Sequence, residues 1–167
     1  MRAAIALTQV LVMTVGTVIG QGGCFLAPCT LIGCGSPIKI EVSGVRDPAR
    51  YLGATVTLCH EDRCGSSVLG EDLPEPNTGL GGTTSGDLQL AAYLWNRDGY
   101  HLNIGLGVYT PADFTDGDTI TLRIVGYTGA TILEEEWTAE FSESYPNGER
   151  CDDVPCKSHE RILSSPW

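Results

Sequence analysis

Cysteine, histidine and aspartate are the side chains here with chemistry to offer, and their spacing limits what that chemistry can be. Four cysteines form two C-x4-C pairs, Cys59 with Cys64 and Cys151 with Cys156, while Cys24, Cys29 and Cys34 lie toward the N-terminus. Four thiolates so spaced suit structural zinc. In an oxidising compartment the same four become two disulfides. His60-Glu61 and His159-Glu160 open like the H-E-x-x-H zinc motif, but Cys64 and Leu163 stand where the second His belongs. His101 is isolated from both. No G-x-S-x-G elbow organises Ser66 or Ser67 as a nucleophile. Neither Lys39 nor Lys157 follows the glycines of a phosphate loop, and no C-x-x-C-H haem attachment exists.

Two weaker constellations remain. Asp113, Asp116 and Asp118 in ADFTDGDT could gather around calcium, which takes several oxygen ligands. The spacing is not that of an EF-hand, and Asp and Gly also serve turns without any metal, so no cofactor is expected. The second constellation is aromatic. If a strand carries Leu88, Leu90, Ala92 and Leu94 inward, then Tyr93 and Trp95 point outward. Beyond the Asn96-Arg97-Asp98-Gly99 turn, His101, Asn103 and Tyr109 share that outward parity, with Gly105 and Gly107 between them. Such a face can recognise a ligand. It can equally be cross-strand aromatics covering glycines, or a second core face.

The elements that position these residues begin after an export segment. Arg2 is followed by the apolar run Ala3 to Gly20, the pattern of a secretory signal. Apolar character resumes in CFLAPCTLIGC. There Thr30-Leu31-Ile32-Gly33-Cys34 resembles the lipobox of bacterial lipoproteins, which implies cleavage before Cys34 and lipidation of its sulfur. Two acyl chains suffice for stable anchoring. Cys24, preceded by Gln21-Gly22-Gly23, is the rival, and an uncleaved membrane anchor is the remaining alternative. Cys29 follows Pro28, which the processing peptidase should reject. Gly35 after the Cys, by the same resemblance, carries no inner-membrane retention signal.

Seven cysteines is an odd number. Lipidation of Cys34 leaves the even set Cys59, Cys64, Cys151 and Cys156; lipidation of Cys24 leaves six, also even. In an oxidising envelope disulfides are favoured over zinc, and the local pairs Cys59–Cys64 and Cys151–Cys156 are expected. His60-Glu61-Asp62-Arg63 reads as the hairpin tip that brings the first pair together.

Residues 1–33 are thus expected to be a signal peptide, 34–36 a lipidated tether, 37–163 a domain and 164–167 a tail. Within the domain, apolar and polar residues alternate through Ile38–Val42, Val56–Leu58, Leu88–Leu94, Tyr100–Val108 and Ile120–Ile124. Seven or eight short strands without a convincing helix suggest an all-β, immunoglobulin- or fibronectin-III-like antiparallel sandwich. Leu133, Glu135, Trp137, Ala139 and Phe141 share one parity, which aims Glu135 at the core unless a bulge or an edge position relieves it. Residues 70–86 read as a long loop leaning to flexible.

The formal net charge of -11 argues against nucleic acid as a partner. The expected function is therefore a non-catalytic envelope lipoprotein that presents a binding or adhesion module near the membrane surface to a surface protein or glycan. A structural subunit of an envelope complex is the alternative, and a hydrolase without a recognisable motif ranks last.

Overall fold

The computed structural model describes residues 34–76, 78–81, 83–107, 113–152 and 154–166. Period-2 alternation becomes two facing sheets. The strands are β1 (Ile38–Val45), β2 (Thr55–His60), β3 (Arg63–Val68), β4 (Gly79–Gly81), β5 (Thr83–Gly86), β6 (Leu90–Asn96), β7 (Tyr100–Leu106), β8 (Thr119–Val125), β9 (Thr131–Thr138), β10 (Ser142–Ser144) and β11 (Cys156–Ser164). A six-stranded sheet has the order β10-β11-β1-β7-β6-β4, and a five-stranded sheet the order β5-β3-β2-β8-β9. The fold is an all-β sandwich, as the alternation predicts.

The eleven strands exceed the expected seven or eight because β4, β5 and β10 carry no apolar periodicity. They pair through backbone alone, which leaves no trace in a hydropathy pattern. Residues 70–86 are accordingly not one flexible loop. They hold one edge strand of each sheet, β4 against β6 and β5 against β3. Nor is the sandwich wholly antiparallel, since β1 and β11 run parallel. Their pairing joins the two ends of the domain, a contact no local pattern announces.

Between the sheets, Ile38, Ile40, Val42, Leu90, Ala92, Leu94, Leu102, Ile104 and Leu106 meet Val56, Leu58, Ile120, Leu122 and Ile124. Tyr51 and Phe114 are buried with them. At roughly 25 cal/mol per Å2 of apolar surface removed from water, this burial is the main favourable term. The parity of β9 does aim Glu135 inward, opposite Leu122. An edge position relieves it, for β9 is the last strand of its sheet and Glu135 stays half-exposed. The register shift falls at Ile124/Val125, not near Glu134–Glu136.

Both margins of the domain are tied down. The Ser36 hydroxyl lies within hydrogen-bond distance of the Leu106 and Ile38 carbonyls, 2.6 and 2.7 Å away. Ser165 N–H donates to the Ser43 carbonyl, and the Ser165 and Tyr51 hydroxyls are 2.9 Å apart. Residues 34–36 are therefore not a free tether, and β11 continues one residue beyond the expected end at 163. Among the described residues, no helix is long and apolar enough to cross a membrane.

Candidate functional site on the outer face of the six-stranded sheet

Alternation that sends leucines inward along β6 sends Ala91, Tyr93 and Trp95 outward, and β7 likewise presents His101, Asn103 and Gly105. The register aligns them in rungs. Trp95 lies opposite His101, Tyr93 opposite Asn103 and Ala91 opposite Gly105. Strand β1 extends the rungs, with Glu41 opposite Asn103 and Lys39 opposite Gly105. On β11, Ile162 then stands beside Glu41, and Glu160 beside Lys39. The outward parity read from the sequence is correct for Tyr93, Trp95, His101 and Asn103; Tyr109 lies outside the described residues.

Both aromatic rings cover glycines, though not the expected ones. Gly79 and Gly81 of β4 pair with Trp95 and Tyr93. A Cβ built on Gly79 would sit 2.8 Å from Trp95 Cε2, and one on Gly81 would sit 2.9 Å from Tyr93 Cε1. Each ring therefore packs directly against a bare Cα on one side, while Tyr93 and Trp95 remain 43% and 38% exposed. Gly105, opposite Ala91, is approached instead by Ser36, whose Oγ would lie 3.0 Å from an added Cβ, and Gly107 lies beyond the end of β7.

Low floor and tall walls leave a groove along β7. One part, of about 530 Å3, is lined by Lys39, Glu41, Ala91, Tyr93, Asn103 and Gly105 among others. The other, of about 560 Å3, lies between Glu41, Trp95, Arg97, Asp98, His101 and Asn103. Glu41 and Asn103 line both, so the two parts adjoin. His101 Nδ1 is 3.0 Å from Glu41 Oε1. Lys39 and Glu160 form an exposed ion pair at 3.0 Å, which contributes little to stability. Glu41, Ala91 and Ile162 were missed in the sequence. Their outward parity was visible, but nothing local says that β1 pairs with β7 and β11.

The other histidines belong to the packing. His60, nearly buried, sits 2.7 Å from Asp118 Oδ2 and against the Phe114 ring. Asp118 also accepts from Thr115 N–H and its hydroxyl. Burial alone would push this carboxyl up; the Thr115 bonds, then His60, outweigh it and hold the carboxyl below the usual aspartate value. Trp137 Nε1–H donates to His159 Nε2, and His159 Nδ1–H donates to the Glu140 carbonyl. Arg161 stacks on the Trp137 ring at 4.8 Å.

The calcium reading finds its aspartates already employed. Asp116 accepts from Phe141 N–H, and Asp118 braces Thr115 and His60. Among the described residues, no group of three or more His, Cys, Asp or Glu side chains could hold a metal ion.

The cysteines require two corrections. Cys59–Cys64 forms across the β2–β3 hairpin as expected, its tip being Glu61-Asp62. Cys156, however, bonds to Cys34 and not to Cys151. Parallel pairing of β1 with β11 is the cause, because Ile38 aligns with His159 and brings the start of each strand together. A sulfur in a disulfide cannot also carry a thioether-linked lipid, so this bond contradicts lipidation of Cys34. Cys151 is disulfide-bonded as well, to none of the other four described cysteines. Zinc binding by the four C-x4-C thiolates is thereby excluded. The bridges mark an oxidising environment.

No protein-family model, no curated protein and no solved structure matches this chain.

Proposed function

We propose that the chain is an exported envelope protein whose sandwich is a non-catalytic binding module, working through the outer face of the six-stranded sheet. One observation carries the reading: two aromatic rings stay about 40% exposed side by side beside two adjoining hollows. Large exposed apolar groups beside polar ones are the mark of a contact surface. The engagement of His60 and His159 within the packing supports the non-catalytic part, since among the described residues they contact Asp118, Trp137 and the Glu140 carbonyl.

The membrane tether moves with the disulfides. With Cys34 in a bridge, Cys24 and Cys29 are the N-terminal cysteines to weigh for acylation. Cys24 is the better substrate for acylation, because Pro28 precedes Cys29.

Mass spectrometry of the mature N-terminus tests the tether: acylated Cys24 supports it, and acylated Cys34 or an intact Met1 overturns it. For the binding face, a Tyr93→Ala/Trp95→Ala variant that still folds should lose its envelope partner in pull-down. Unchanged association would favour an assembly subunit that uses another surface.

A further inference from the structure

The groove along β7 selects among occupants by its hydrogen bonding and charge. Strands β6, β7 and β1 are interior strands, paired on both sides. No row of unpaired N–H and C=O groups is offered here for an extended peptide to add to as a new strand. Recognition must come from ring faces and side-chain polar groups. Three carboxylates, Glu41, Glu160 and Asp98, line the groove with three cations, Lys39, Arg97 and Arg161, the last of which is stacked on the Trp137 ring. With a net charge of -11 behind it, this face does not favour a polyanion.

The remaining chemistry suits a sugar. Aromatic faces carry the negative part of the ring quadrupole, which attracts the polarised C–H face of a pyranose. Beside the rings, the Asn103 amide offers donors and an acceptor and makes no hydrogen bond among the described residues. Glu41 uses one oxygen toward His101, leaving the other to accept from a hydroxyl. From Ala91 to Trp95 the strand advances about 13 Å, room for more than one ring of a chain.

Resting on the binding-module reading above, we infer that the groove binds an uncharged linear glycan. Its pyranose faces stack on Tyr93 and Trp95, and its hydroxyls bond to Asn103 and Glu41.

The test is native affinity electrophoresis of the mature, disulfide-bonded protein. The gels contain hydroxyethyl cellulose, arabinoxylan, mannan, laminarin or glycol chitin, with polygalacturonate as the anionic control. At least one neutral polymer should retard the protein, and polygalacturonate should not. Since the rings also cover glycines, the decisive variant is Ala91→Gln. It fills the groove and removes no contact, and it should weaken the retardation about tenfold. No retardation by any neutral polymer, equal retardation of Ala91→Gln, or stronger retardation by polygalacturonate would overturn the inference. A photo-crosslinker at the exposed Ile162 separates this failure from that of the binding face itself. Cross-linking of an envelope protein that Ala91→Gln abolishes keeps the face and overturns the glycan. Neither cross-linking nor retardation overturns both.

Discussion

Replacing Cys34 by Ser distinguishes a bridged sulfur from an acylated one and carries a calculable cost. The Cys34–Cys156 bridge spans a sequence separation of 122, and Cys59–Cys64 one of 5. The loop-entropy relation gives about 5 kcal/mol for the first and about 2 kcal/mol for the second. Cys151, near Cys156 in the chain, is disulfide-bonded too, so the first figure is a ceiling. Even half of it is a large part of the roughly 5–15 kcal/mol that holds a typical domain folded. The loss should fall first on the β1·β11 ladder, because the bridge sits where Ile38 and His159 begin it. Urea denaturation without reductant should therefore show a lower midpoint for Cys34→Ser than for Cys59→Ser. Amide exchange should accelerate first in residues 38–43 and 159–164. An unchanged midpoint, or equal effects of the two substitutions, would refute the reasoning, as would a lipid on Cys34.

Leu122 is fully buried between the sheets, so Leu122→Ala should cost about 2–5 kcal/mol in the same urea assay. The Ser67 hydroxyl is buried without a hydrogen-bond partner, so Ser67→Ala should leave stability unchanged or raise it by up to about 1 kcal/mol; a clear loss would reveal a missing partner. Asp118 has a folded pKa below its unfolded value of about 3.9. Its contribution is therefore complete above that unfolded value and disappears as pH falls through the lower folded one. Melting temperatures between pH 2 and 6 should fall less steeply for Asp118→Asn than for the parent, and parallel curves would sink the argument. At Gly86 (φ +103°) an added Cβ would meet the Cys64 carbonyl at 2.7 Å, so Gly86→Ala should destabilise measurably by thermal melting.

Strand parity along β1, β2, β6, β7 and β8 was legible from residue types because each strand has one buried and one wetted face. That periodicity assigned Leu88–Leu94 to the core and turned Tyr93 and Trp95 outward. The Glu61-Asp62 hairpin was equally local, and it carried the Cys59–Cys64 bridge with it. A groove needs more than parity. Its far wall is Glu41 and Ile162, which reach Asn103 only through the pairing of β1 with β7 and β11. The strand beneath the rings, Gly79–Gly81, has no hydrophobic alternation to reveal it.

The cysteines divide along the same line. Sequence by itself determined that the chain is rich in half-buried strands and that the Cys59–Cys64 pair meets across a turn. Both depend on residues a few positions apart. Only the tertiary structure decided the partner of Cys156, because a parallel pairing of the first strand with the last brings Cys34 to within 5.3 Å of it between Cα atoms. Nothing near Cys34 in the chain encodes that meeting. It follows from closing the sheet around a common core, which acts on the whole chain at once.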